Sequence, residues 1–167
     1  ELGVPAEEMA AALQAFTGTA RRFEDRGSAA GVRVIDDYAH HPTEITALLH
    51  TARRTAAGGA VRVLFQPHLF SRTQEFAAAF ATALSAADSV VLTAIYPARE
   101  EPRPGVTSAL IADRIPQAQY IPQAQEAARA VADSARPGDV ILTVGAGDVT
   151  ALGPVVLEHL RAREEVS

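Results

Sequence analysis

The stretch VIDDYAHHPTEI, Val34 to Ile45, sets two carboxylates, a phenol and two imidazoles within a few consecutive positions. Such groups suit acid–base work, ligand hydrogen bonding or metal binding, and their spacing helps to separate the three. Asp36 and Asp37 are neighbours, and neighbours along a strand face opposite ways. One can therefore serve the fold, for instance by capping the helix that follows, while the other faces a cleft. His40, His41 and His68 are poorly spaced for a metal. Adjacent imidazoles in an extended or turn segment diverge, helical chelation uses i, i+4 pairs, and the chain contains no cysteine. No metal ligand is assigned.

A second cluster lies in FQPHLFSRT, which carries His68 and Arg72. The spacing predicts a helix starting at Ser71, with Ser71 as its N-cap. A guanidinium at that point opposes the helix dipole unless an anion partners it, and a carboxylate or phosphate ligand would supply one. A third segment, VGAGDVTALGP, brings Gly145, Gly147 and Gly153 close to a strand end. Bare backbone there can approach a ligand closely or bind an anion. The spacing is not that of the GxGxxG dinucleotide fingerprint.

The elements that must position these residues follow from periodicity. Pro5, Glu7 and Glu8 mark a first helix, with Met9, Leu13 and Phe16 on one face and Gly18 ending it. ARRFEDRG and GVRVIDDYA flank a turn at residues 27–31 and predict a hairpin. A helix over 43–56 follows Pro42, with Ile45, Leu48, Leu49 and Ala52 on one side. VRVLFQ (61–66) and SVVLTAIY (89–96) are too apolar for a solvated face and predict buried strands. The helix from Ser71 carries Phe76, Phe80 and Leu84, and the proline-rich segment 97–106 is a loop. Beyond it the pattern predicts a short helix over 108–113, a weak strand near 119–121 and a helix over 123–134. A strand within 137–147 and a helix over 150–163 complete the chain. Strands alternating with helices imply an α/β fold with a parallel sheet covered on both faces. Ligands of such sheets gather beyond the carboxyl ends of the strands, so the three clusters, with residues 96–100, should converge on one edge.

Composition narrows the chemistry. The chain of 167 residues is 48% hydrophobic and 5% aromatic, as expected of one domain with Ala-rich helices. All 15 basic residues are arginine. Without lysine, a GxxxxGK[ST] phosphate loop and enzyme-lysine Schiff-base chemistry are both impossible in this segment. A net charge of −5 argues against a general nucleic-acid partner. No apolar run approaches the roughly 20 residues of a membrane span. A cytoplasmic location is the expectation. The opening residues, lacking an initiator methionine and reading as a helix already under way, suggest a piece of a longer chain.

RRFE (21–24), DDYAHHPTEI (36–45), FQPHLFSRT (65–73), YPAREEPRPGVTS (96–108) and GAGDVTALGP (145–154) run in an order that resembles the C-terminal domain of the Mur ligases, in particular the branch that adds L-alanine to UDP-N-acetylmuramate. Essentially the whole chain takes part. The resemblance implies a Rossmann-like, mostly parallel sheet with helices on both faces and a short N-terminal hairpin. Residues 1–18 would be the end of a central domain or a hinge helix, and residues 19–167 the domain that receives the amino acid and closes over ATP. It implies an ATP-dependent ligase, using Mg²⁺ held mostly by the central domain, that joins L-alanine to UDP-N-acetylmuramate through an acyl phosphate. Other domains would bind the UDP-sugar and the phosphates, and the segment alone is expected to be inactive. By the same resemblance, Arg22 reaches the ATP phosphates as a catalytic group and Asp37 holds the ribose hydroxyls. Tyr38 and His40 line the amino-acid pocket, Arg72 pairs with the L-alanine carboxylate, and His68 and the Gly145 loop are weaker candidates for that pocket. Leu69 stands where some members have a second arginine. The equivalent domain of a murein-peptide recycling ligase and a non-catalytic nucleotide-binding module are the alternatives.

Overall fold

The computed structural model describes residues 20–165; the predicted helix and hinge at residues 1–18 lie outside them. Six strands form one sheet: β1 (Glu24–Ala29), β2 (Val32–Asp37), β3 (Val61–Phe65), β4 (Ser89–Leu92), β5 (Ala118–Tyr120) and β6 (Val140–Val144). Their order across the sheet is β1-β2-β6-β3-β4-β5. β1 runs antiparallel to β2 as the predicted hairpin, and every other pairing is parallel. The fold is thus α/β with a mostly parallel sheet.

Alternation along the strands decides what each face buries. Ile35, Val63, Phe65, Leu142 and Val144 point to one side. There they meet α1 (Pro42–Ala56), α2 (Phe70–Leu84) and the single turn α3 (Ala109–Ala112) through Ile45, Leu49, Phe80, Leu84 and Ile111. Val34, Leu64 and Ile141 point to the other side. They pack on α4 (Ala124–Ser134) and α5 (Leu152–Glu164) through Ala128, Val131, Val156 and Leu160. Phe65 and Phe80, both fully buried, pack with tilted rings 5.4 Å apart between β3 and α2.

Three local expectations are corrected. β4 stops at Leu92 rather than reaching Tyr96. Past Thr93 the chain turns aside to bond Pro122, and Tyr96 rejoins only as an isolated bridge to His68. Ser71 does not cap α2. That helix begins at Phe70, Leu69 is its N-cap residue, and Leu69 offers no side-chain acceptor. The last helix is preceded by a 3₁₀ turn at Asp148–Ala151 instead of starting at Thr150. By contrast, α1 has a full capping box: the Thr43 N–H donates to His41 Nδ1 and the His41 N–H to Glu44.

At the amino ends of the strands, carboxylates tie the sheet together. Asp139 accepts from the backbone of Ala60 and Arg136, each at 2.9 Å, and from Arg62 Nε at 2.8 Å. Burial works against its ionisation, but these donors outweigh it and hold its pKa below the ordinary 3.8. A depressed carboxylate stabilises the fold above its unfolded pKa and loses that contribution as pH falls through the folded value. Asp139→Asn should therefore cost roughly 1.5–3 kcal/mol at neutral pH. In urea titrations the gap from wild type should close as the pH drops below 3.8.

Candidate active site

The carboxyl ends of β2, β3, β4 and β6 meet along one edge, as the topology requires. The two adjacent aspartates at the end of β2 diverge as expected, and both are buried. Asp36 is wholly enclosed and accepts from Thr143 Oγ1 at 2.7 Å, Thr150 Oγ1 at 3.0 Å and Arg21 Nε at 3.1 Å. Its oxygens serve the fold. Asp37 faces the α1 side and accepts one backbone N–H on each oxygen, from Phe23 and Ala39, both at 2.8 Å. Each of its oxygens keeps further lone-pair capacity toward the depression that Asp37 lines with Arg22, Phe23, Glu44 and Leu48.

Arg21, which the sequence reading passed over, binds the pieces together. It adopts a left-handed backbone (φ 59°). Its guanidinium donates to the carbonyls of Gly145 and Gly147 as well as to Asp36. Its own carbonyl receives the Tyr38 N–H at 2.8 Å, and its guanidinium lies 4.9 Å from the Tyr38 ring centroid. Arg22, exposed, approaches the same ring at 5.8 Å. The glycines beyond β6 explain themselves in the same terms. A Cβ on Gly145 would sit 2.5 Å from the Gln66 carbonyl oxygen, and one on Gly147 would sit 2.6 Å from Tyr96 Cγ. They permit chain to approach chain at this edge. Gln66 completes the join by donating to Asp148 and accepting from the Val149 N–H.

A row of rings crosses the edge. Tyr38 meets His40 edge-on at 5.2 Å, His40 faces His68 at 6.3 Å, and His68 stacks on Tyr96 at 5.7 Å. His40 is held by its N–H to Glu44 and by a contact of Nδ1 with the Tyr38 carbonyl. Burial, then the positive charges of Arg72 and His40, pull the His68 pKa down; Glu100 opposes them weakly. Among the described residues three buried side-chain nitrogens have no hydrogen-bond partner, Arg26 Nε, His68 Nδ1 and Arg72 Nη1, and the last two belong to this edge. Buried polar groups are almost always satisfied, so an unpartnered guanidinium nitrogen and an unpartnered imidazole nitrogen stand out at this strand-end edge. Among the described residues no three His, Cys, Asp or Glu side chains gather as a metal would require.

Residues 21–147 match the family described as Mur ligase, glutamate ligase domain. The chain belongs to this Mur ligase domain family. It is 59% identical over 160 residues to the UDP-N-acetylmuramate–L-alanine ligase of Paenarthrobacter aurescens, covering 96% of this chain and 35% of that protein. Among solved structures it resembles the UDP-N-acetylmuramate–alanine ligase MurC of Thermotoga maritima, at 29% identity and a TM-score of 0.73, over 99% of this chain and 35% of that one. It also resembles a murein peptide ligase of Psychrobacter arcticus, at 26% identity and a TM-score of 0.72, over 96% of this chain and 34% of that one. The chain spans about a third of the length of these Mur ligases.

The Mur ligase domain thus gathers Tyr38, His40 and His68 into one row of rings, with Arg72 acting on His68 from the start of α2. Arg22 and Asp37 lie beside it, around the depression against α1. Sequence reasoning set residues 96–100 at this edge but gave no role to Tyr96, Glu100 or Arg21. The only signal for them was position: each lies in a segment next to a strand end or in a quoted motif.

Two measurements check this geometry. Arg21→Ala leaves the Asp36 carboxylate buried without its cation and should cost roughly 3–5 kcal/mol in chemical denaturation. In an NMR titration His68 should ionise below the ordinary 6.5, and Arg72→Ala should move its pKa back up by removing a like charge.

Proposed function

We propose that residues 19–167 form the C-terminal domain of an ATP-dependent ligase that joins L-alanine to UDP-N-acetylmuramate, with residues 1–18 ending a central domain or forming a hinge. The observation that carries the site is the orphaned Arg72 guanidinium nitrogen beside the orphaned His68 imidazole nitrogen. An amino-acid carboxylate matches that guanidinium in charge and fork geometry. The 59% identity to an L-alanine ligase across nearly the whole chain supports the choice of amino acid.

In this reading Arg72 fixes the carboxylate of L-alanine, and so fixes where its amine points. Tyr38 and His40 wall the pocket, and His68, biased toward its neutral form, offers a ring nitrogen as an acceptor. ATP, when bound, supplies the phosphoryl group that turns the sugar's carboxylate into an acyl phosphate. The amine then forms the C–N bond, the C–O bond to phosphate breaks, and the amine proton leaves. Holding the nucleophile in place accounts for much of such an acceleration. Arg22, exposed beside Tyr38, is the catalytic guanidinium that stabilises charge on the phosphates. Asp37 accepts from the ribose hydroxyls with the lone pairs its backbone donors leave free. Among the described residues no three His, Cys, Asp or Glu side chains gather; the rest of the ligase would hold most of the Mg²⁺ shell and UDP-N-acetylmuramate. The enzyme would work in the cytoplasm, without nucleic acid or membrane as partner.

Arg72→Ala in the full-length ligase should lower kcat/KM for L-alanine by on the order of 2–5 kcal/mol. The loss should fall mainly on KM for L-alanine, in a coupled phosphate-release assay. Unchanged kinetics would refute the role of Arg72, and a preference of the wild-type ligase for tripeptide over L-alanine would overturn the substrate.

A further inference from the structure

We infer that Glu100 is a positioning residue for the amino-acid site: its carboxylate caps α2 from a separate loop and holds residues 68–72 so that Arg72 is presented to the ligand. The inference rests on the reading that Arg72 receives the carboxylate of L-alanine.

The start of α2 needs an outside acceptor. A helix begins with four N–H groups lacking intrahelical partners, and a short polar side chain at the N-cap usually serves them. Here the N-cap is Leu69, which offers none, and Ser71 is already inside the helix. Glu100 supplies what is missing. One carboxylate oxygen accepts the Ser71 N–H at 2.9 Å, and the other accepts the Ser71 hydroxyl. The Ser71 bonds are the main reason its pKa lies below the usual glutamate value.

Glu100 is itself held. Residues 97–100 form a turn closed by the Glu100 N–H on the Pro97 carbonyl at 2.9 Å, with Ala98 in a left-handed conformation (φ 52°). The segment it caps is fixed from the same side by Tyr96. Leu69 donates to the Tyr96 carbonyl at 2.9 Å, Tyr96 donates to the Pro67 carbonyl at 2.8 Å, and the Tyr96 ring stacks on His68. Leu69 adopts φ 72° between these anchors. A branched residue there costs energy and persists only where its surroundings impose it. Glu100 and Tyr96 do so together.

The carboxylate also settles a charge problem without filling the site. The positive end of α2 and Arg72 stand together here, whereas His40 already has Glu44 at 3.4 Å. Glu100 offsets them, yet forms no salt bridge with Arg72, whose Nη1 stays open. An anion bound to backbone and hydroxyl can steady the helix end while leaving the guanidinium for the substrate.

The test uses the full-length ligase with Arg72→Ala as its control. Glu100→Ala should raise KM for L-alanine about fivefold to tenfold, as expected for a lost cap transmitted to the ligand, with KM for ATP unchanged. Glu100→Gln keeps an acceptor for the Ser71 N–H and should recover most of the affinity. Glu100→Asp, which keeps the charge but falls a methylene short, should raise KM for L-alanine even if the alanine variant does not fold. Equal rises in both KM values, or an unchanged KM for L-alanine in Glu100→Asp, would overturn the inference. If Arg72→Ala also leaves that KM unchanged, the underlying reading of the site has failed. If Arg72→Ala raises it and the Glu100 variants do not, only the role of Glu100 has failed.

Discussion

The ion pair between Arg21 and Asp36 is the constraint on which the edge of this sheet depends. Burying a carboxylate completely is expensive, and the attraction of one cation rarely repays it unless every remaining lone pair is satisfied. Here two threonines from β6 and the turn beyond it complete the shell of Asp36, while Arg21 spends its other N–H groups on the carbonyls of Gly145 and Gly147. One guanidinium thus joins the entry to the hairpin, the end of β2 and the loop after β6. Tyr38 takes its place from the same residue, through the Arg21 carbonyl and the face of its ring. The neighbouring Arg22 is left exposed.

The two ends of the sheet solve their electrostatics in opposite ways. At the amino ends, Arg53, Arg62 and backbone N–H groups donate to Asp88 and Asp139. At the carboxyl ends, among the described residues, buried nitrogens of His68 and Arg72 have no hydrogen-bond partner. Buried polar groups are nearly always paired, so the two ends differ in how completely their polar groups are met. The same backbone polarity aims strands and following helices at this one rim.

Much of this was legible in the sequence because it follows from periodicity. The near-continuous apolar runs VRVLF and VILTV, the helical stripe of Ile45, Leu48 and Leu49, and the hairpin turn all read directly. The order of strands did not, since period-2 patterns say which face is buried but not which strand lies alongside. At the site, His68 and Arg72 were legible from their place after a strand. Arg21 was not, because nothing local distinguishes it from Arg22; only the left-handed backbone and the distant glycine carbonyls do. Ser71 misled for a related reason. It has the chemistry of a cap, but the helix starts one residue earlier, and the acceptor comes from a loop 29 residues away in sequence.

The sheet order has a consequence for how the chain folds. β6, the last of the six described strands, lies between β2 and β3 and bonds to both. Until β6 pairs, the hairpin and the β3–β4–β5 half are two separate pieces, each with an open strand edge. Unpaired edges invite pairing with other chains. Docking of residues 140–144 closes both inner edges, and only then can the loop carrying Gly145 and Gly147 reach Arg21. The edge that holds Arg21 and Tyr38 is therefore completed by the strand that unites the two halves.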